Sequence, residues 1–253
     1  MTNNGKRVAW VTGGGSGIGE SGAEFLAADG WTVVVSGRRK EELDRVVANI
    51  AGKGGKAEAI PLDVSDKEAV NKAAGQIVAS TAASICSSTA PASTCRSAAG
   101  PRWSWRAGTS SSRSTSTACS IACARCCRRC AKQKDGCIIN VASWAGRHVS
   151  KMPGPAYTTT KHAVLALTHS FNMDECVNGL RACCLSPGEV ATPILKLRPV
   201  VPSEAEQAKM LQPEDCGRTI AFVASMPPRV CINEILISPT HNRGFIQTPA
   251  SRD

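Results

Sequence analysis

Tyr157-Thr158-Thr159-Thr160-Lys161 sets a phenol and an ammonium four residues apart. On a helix that spacing puts both on one face. An ammonium beside a phenol favours the phenolate, lowering a pKa of about 10 towards the range of an acid/base catalyst. Tyr157 is the only tyrosine of the chain. Upstream, Ser143 follows the apolar run Ile138-Ile139-Asn140-Val141-Ala142, which reads as a strand. Its hydroxyl would emerge at the carboxyl edge of a sheet, where open α/β folds bind ligands. A tyrosine and lysine at this spacing, taken alone, make an ordinary exposed pair.

A second group of residues changes that balance. Thr12-Gly13-Gly14-Gly15-Ser16-Gly17-Ile18-Gly19 lies between a strand pattern and a helix pattern. Glycines there let the backbone approach a pyrophosphate, and the helix N-terminus supplies free N–H groups. The competing reading is a plain glycine-rich turn. The next strand ends in Ser36-Gly37-Arg38-Arg39-Lys40. An acid in this place would take the ribose 2′-hydroxyl of NAD(H), whereas arginine accommodates the 2′-phosphate of NADP(H). NADP(H) is therefore expected over NAD(H), against a solvated basic helix start that would leave the choice open. Asp63-Val64 closes the third strand; its carboxylate either receives the adenine amino group or caps the following helix.

The elements that must hold these residues alternate. Strands are predicted at Arg7–Thr12, Trp31–Ser36, Ala57–Leu62, Cys137–Ala142, Arg181–Leu185 and Cys231–Ile237. Helices are predicted near Ile18–Ala28, Glu41–Ile50, from Ser65, at Ala156–Phe171 and at Pro213–Ala224. The expected fold is a single doubly wound Rossmann-type α/β domain over residues 1–253, its mostly parallel sheet covered by helices on both faces. Pro193–Gln212 reads as a mobile lid, and Cys183-Cys184 as small core residues.

One stretch breaks the pattern. Residues 81–131 contain no Val, Leu, Asp, Glu or Lys, but hold seven of the thirteen cysteines and seven arginines. Those arginines account for most of the formal charge of +10, leaving +3 for the rest. Such a composition is expected to be unable to form the buried central strand and helix of a parallel sheet. Three readings are open: an Arg/Ser-rich arm binding RNA, a zinc knuckle on Cys123, Cys126, Cys127 and Cys130, or translation in a shifted frame. In the alternate frame, residues 81–92 become GRIDLLVNSAGI, and 106–130 a helix-like apolar segment. The shifted frame is the reading adopted, with neither a metal site nor a nucleic-acid partner.

Gly13-x3-Gly17-x-Gly19, Asp63-Val64, Ser143, Tyr157-x3-Lys161 and Ser186-Pro187-Gly188-Glu189-Val190-Ala191-Thr192-Pro193 together resemble the short-chain dehydrogenase/reductase family, over residues 6–80 and 132–240. The resemblance implies that Tyr157 exchanges the substrate proton, with Ser143 orienting the carbonyl or hydroxyl. Lys161 would lower the tyrosine's pKa and hold the nicotinamide ribose. It also implies a cofactor site from Gly13, Ser16, Gly17, Ile18, Gly19, Arg38, Arg39, Asp63 and Val64, completed by Tyr157, Lys161, Pro187, Gly188, Val190 and Thr192. The family's Asn-Asn-Ala-Gly and its relay asparagine are absent as written; the alternate frame restores NSAG over 88–91 and an Asn at the Ser114 slot.

Trp144, Arg147, His148 and Met152 are candidates for the substrate pocket. His148 is expected at its polar rim, and Arg147 either binds a substrate carboxylate or is solvated. Ile232–Thr240 resembles the ending of the family's subgroup acting on hydroxy acids, serine-like compounds and small ketones. The implied activity is NADP(H)-linked interconversion of a secondary alcohol and a ketone, in a cytoplasmic homo-oligomer (dimer or tetramer) with no membrane partner. The alternative is a catalytically dead nucleotide-binding protein, or one with a genuine RNA- or zinc-binding insert.

Overall fold

Strands β1 (Arg7–Thr12), β2 (Thr32–Gly37), β5 (Gly136–Val141) and β6 (Leu180–Pro187) are rich in apolar and β-branched residues. Their near-continuous apolar character is what a strand covered on both faces requires. The computed structural model describes residues 7–80, 83–88, 133–149, 154–198, 200–243 and 245, with the backbone alone at 78–80, 83–88 and 197. Seven strands form one sheet in the order β3-β2-β1-β4-β5-β6-β7, every neighbouring pair parallel. The remaining strands are β3 (Lys56–Pro61), β4 (Ala83–Ser88) and β7 (Glu234–Ile237).

Helices α1 (Gly17–Ala28), α2 (Lys40–Gly52), α3 (Lys67–Ser80), α4 (Gly154–Glu175), α5 (Glu204–Gln207) and α6 (Pro213–Ser225) connect and flank the strands. Successive strand residues feed opposite cores, as the period of two demands. Ala9, Val11, Val33, Val35 and Ile139 join residues of α1, α2 and α6 on one face. Val8, Trp10, Val34 and Ile138 join Val70, Ala73, Ala74 and Ile77 of α3 on the other. This is the doubly wound α/β fold expected from the sequence.

Strand order reverses between β1 and β4, so the crevice of the fold opens at the carboxyl ends of these two strands. Apart from Tyr157 and Lys161 on α4, the candidate residues described lie at the ends of β1, β2, β3, β5 and β6 or in the segments that follow them.

Two expectations are corrected. The composition of 81–131 was expected to bar a central strand, yet Ala83–Ser88 pairs with β1 from Arg7 to Thr12 and with β5 from Gly136 to Asn140. Ladder bonds are made by the backbone, and two neighbouring parallel strands offer donors and acceptors to any six residues without proline. The last strand is also shorter than expected: Cys231–Asn233 precede it, and only Glu234–Ile237 are strand. The proposed helix and zinc knuckle of 81–131 lie outside the described residues, as does Met152. Among the described residues no helix is long and apolar enough to cross a membrane.

Candidate active site

At the end of β1 the chain turns on Gly13 (φ +69°) and enters α1 on Gly17 (φ +58°), both in the left-handed region that glycine alone adopts without strain. Gly14 is there for space. A Cβ on it would lie 2.9 Å from Val35 Cβ, so the turn can lie against β2, where the Gly14 N–H donates to Ser36 O at 3.1 Å. Ser16 occupies the N-cap position in extended conformation, and its side chain makes no cap hydrogen bond to the helix. Instead Ser16 Oγ accepts from Arg39 Nη2 at 3.5 Å. The first N–H groups of α1 (Gly17, Ile18 and Gly19) therefore receive no side-chain cap from Ser16, and the N-terminus of a helix is where anions bind. Across it stands the loop after β6. Thr192 Cγ2 is 3.1 Å from where a Cβ on Gly17 would sit, so the Gly13–Gly19 turn and the Pro187–Thr192 loop meet.

That loop is pinned from several sides. Gly188 N–H donates to Ile237 O at 2.7 Å, and Val190, buried, forms an isolated parallel bridge with Leu211. Arg38 and Arg39 are exposed at the end of β2. Asp63 Oδ1 accepts from Ser65 N at 2.8 Å and from Ser65 Oγ at 2.7 Å. The Ser65 backbone bond, then its hydroxyl and the Arg38 charge, hold the Asp63 carboxyl below its ordinary pKa. The cap of α3 is Asp66, not Asp63: Asp66 Oδ1 accepts from Glu68 N and Ala69 N at 2.9 and 3.1 Å. The capping alternative for Asp63 is thereby removed, and its ionised carboxylate stays exposed beside Arg38 and half-buried Val64.

Ser143 leaves β5 in extended conformation and starts a short 3-10 turn, Trp144–Gly146, accepting from Ala145 N at 3.2 Å. The turn packs against α4 so closely that a Cβ on Gly146 would stand 2.8 Å from Lys161 O. This contact brings Ser143 beside Tyr157, where its hydroxyl favours the ionised phenol. One turn along α4, Lys161 is 3% exposed, donates from Nζ to Val141 O at 3.2 Å, and sits 5.6 Å from the Tyr157 ring centroid. Behind them Asn140 Nδ2 donates to Thr168 Oγ1 at 3.0 Å, tying β5 to α4. The three residues selected by spacing are thus one cluster.

The electrostatics differ from expectation. Burial lifts the Tyr157 phenol above its ordinary pKa, outweighing the Ser143 hydrogen bond and the Arg198 charge, both of which pull it down. The depression expected from a neighbouring lysine is corrected: loss of water costs the phenolate more than its neighbours return.

Other side chains were misjudged or missed. Arg147 is neither solvated alone nor open to a substrate carboxylate, because Glu234 holds it through two bonds of 2.7 and 2.5 Å. His148 is exposed and stacked on Trp144, with ring centroids 4.4 Å apart, and Phe245 meets Trp144 edge-on at 5.5 Å. Glu189 was read only as part of the loop motif. It binds Arg198 Nη1 at 2.8 Å and Arg243 through Nε and Nη2 at 2.6 and 2.5 Å, which holds its carboxyl below the usual range. An acid inside a glycine–proline loop with arginines on both following segments was the available signal. Cys183 and Cys184 are buried, as expected of core residues, and burial pushes both thiols up.

The short chain dehydrogenase family model matches residues 7–199. An uncharacterised oxidoreductase of Staphylococcus aureus strain USA300 is 30% identical over 242 residues, covering 92% of this chain and 97% of its own. Among solved structures, an alcohol dehydrogenase of the archaeon Thermococcus sibiricus complexed with 5-hydroxy-NADP superposes with a TM-score of 0.81 at 20% identity, over 94% of this chain and 98% of that one. A metagenomic short-chain oxidoreductase in complex with NADP gives 0.77 at 24% identity, over 92% and 97%. With that match over most of its length and the cluster at its sheet edge, the chain belongs to the short-chain dehydrogenase family of oxidoreductases.

Proposed function

We propose that this chain is an NADP(H)-dependent reductase/dehydrogenase that interconverts a small-molecule ketone and its secondary alcohol, with Tyr157 as the acid/base. The single observation that carries the reading is the Ser143–Tyr157–Lys161 cluster: one half-buried phenol, beside a serine hydroxyl that favours its ionised form, with a buried ammonium one helical turn away. In reduction Tyr157 Oη gives its proton to the substrate oxygen, and in oxidation it takes the hydroxyl proton. Ser143 Oγ already accepts from Ala145 N–H, so its own hydrogen is directed to Tyr157 or to the substrate oxygen. Lys161 stabilises the phenolate formed after transfer.

The cradle fits a dinucleotide. Gly14 lets the turn lie against Val35 of β2, a side chain on Gly17 would crowd Thr192 of the opposite loop, and Arg38 and Arg39 are exposed at the end of β2. The nicotinamide, when bound, supplies the hydride chemistry. Arg38, Arg39 and Ser16 would receive the 2′-phosphate, Asp63 and Val64 the adenine, and Pro187, Gly188, Val190 and Thr192 the nicotinamide. Two structural neighbours that hold NADP or its 5-hydroxy derivative support the same cofactor. A homo-oligomer working in the cytoplasm belongs to the same proposal.

Residues 81–131 belong to this proposal as a shifted reading frame inside one domain of 253 residues. Peptide mapping of the purified protein decides it: peptides following the alternate frame are expected, and a peptide spanning 87–96 as written defeats it. The functional test is Tyr157→Phe in the chain with the restored frame. Ketone-dependent oxidation of NADPH should fall at least about a thousandfold, in line with loss of the acid/base group. NADPH binding should persist; full activity in the variant would refute the assignment.

A further inference from the structure

Arg45 projects from the middle of α2 back to the glycine turn. Its Nη1 donates to Glu20 Oε1 at 2.6 Å and its Nη2 to Glu20 Oε2 at 2.9 Å, a fork-on-fork pair between two helices. The same Nη2 lies 3.4 Å from Gly15 O, and Nε donates to Glu42 Oε2 at 3.1 Å. One guanidinium nitrogen thus touches both the Glu20 carboxylate and the backbone of the turn. The carboxylate is therefore held over the turn and not out in solvent; its side chain is 21% exposed.

Glu20 lies in the first turn of α1. An acid there gains from the helix dipole, but it occupies the positive potential that an incoming diphosphate needs. Glu42 adds a second acid within 4.0 Å of Arg39, which in turn reaches Ser16. Along the turn runs a series, Glu20, Arg45, Glu42, Arg39, in which charges of opposite sign alternate. Arg45 is the member that meets both acids.

Resting on the reading of this turn as the dinucleotide site, we infer that Arg45 is a positioning residue that sets cofactor affinity without touching the cofactor. It cancels the Glu20 carboxylate at the entrance of α1, so that the pyrophosphate meets the helix N–H groups and not a like charge. Without Arg45, two negative phosphates at the α1 N-terminus would face an uncompensated carboxylate in the first turn of the same helix, with salt screening their repulsion. An affinity loss of roughly tenfold follows at an effective dielectric between those of protein surface and bulk water.

The test is titration of the full 253-residue chain with NADPH and, separately, NADH, followed by nucleotide fluorescence, with thermal unfolding measured in parallel. Arg45→Met should weaken both nucleotides by the same factor, roughly tenfold, and the loss should shrink as salt is raised. Glu20→Gln on top of Arg45→Met should restore binding to within about twofold, because the charge to be cancelled is gone. Arg45→Lys, which keeps the charge and loses the fork, should retain most of the affinity. Glu20→Gln alone should bind at least as tightly as the original chain, which keeps the test decisive if Arg45→Met fails to fold. A loss confined to NADPH would mean that Arg45 is a 2′-phosphate ligand and would overturn the inference. So would failure of the double variant to recover, or an Arg45→Lys variant as weak as Arg45→Met. If the unaltered chain binds neither nucleotide, the dinucleotide reading itself falls and the inference with it. If it binds both and Arg45→Met is unchanged, only the inference falls.

Discussion

A single tyrosine makes the proposed proton-transfer group directly observable. Tyrosinate absorbs in the near ultraviolet where the five tryptophans do not titrate, so a spectrophotometric pH titration of this chain reports Tyr157 alone. Burial is the dominant influence on that phenol, and it should ionise above the ordinary value of about 10 while the chain is folded. In denaturant it should return to that value. Ser143 favours the ionised form, the effect of a hydroxyl that donates to the phenolic oxygen. A hydrogen bond to a charged group contributes about 1.5–3 kcal/mol and to a neutral one about 0.5–1.5, so the difference between phenolate and phenol is roughly 1.4 kcal/mol. Ser143→Ala should therefore lower the ionisation constant of Tyr157 about tenfold. Arg198→Met should shift it the same way by less, since that charge is the smaller influence. Far-ultraviolet circular dichroism recorded at each pH restricts the reading to folded protein. In the proposed mechanism the sign extends to catalysis: reduction would use the protonated phenol and should stay flat through neutral pH, whereas oxidation should climb with pH and climb later in Ser143→Ala. If Ser143→Ala titrated at or below the unaltered chain, the hydrogen bond assigned between these side chains would be wrong.

Glycine positions give an independent check on the packing that supports the site. A Cβ on Gly217 of α6 would lie 2.3 Å from Ser21 Oγ and 2.7 Å from Phe25 Cδ2 of α1. Gly217→Ala should cost about 1–2 kcal/mol, overpacking outweighing the helix propensity gained. Gly75 lies in α3 with nothing within 4 Å of its added Cβ, so Gly75→Ala should stabilise by about 0.5–1 kcal/mol. Urea midpoints at constant slope measure both, and equal signs would contradict this placement of α1 against α6.

Much of this was legible because it is written in backbone-level signals. The glycine turn, the apolar strand before Ser143 and the one-turn spacing of Tyr157 and Lys161 each fix a local geometry, and the sheet edge brings them together. What the sequence hid is relational. Nothing in Glu189 announces that Arg198 and Arg243 will meet on it from two later segments. Nothing in Glu234 announces that it will neutralise Arg147 across 87 residues. The rise in the Tyr157 pKa was hidden for the same reason: the spacing displays the lysine, whereas desolvation comes from everything packed around the ring.

Composition misled at β4 through a confusion of two requirements. Membership of a parallel sheet is a demand on backbone donors and acceptors; stability of a sheet's centre is a demand on side-chain burial. Ala83–Ser88 meets the first between β1 and β5. The second is the part on which the shifted-frame proposal bears, because the alternate frame reads Ile-Asp-Leu-Leu-Val-Asn where the written chain has Ala, Ser, Ile, Cys, Ser and Ser. The cofactor cradle draws on β1, α1, β2, α2 and the loop after β6, all outside residues 81–131, with contacts among the described side chains running through Val11, Val35, Leu43 and Ile220. Nucleotide binding and Tyr157 ionisation are therefore the properties that should outlast the written segment, and turnover is the property that depends on its frame.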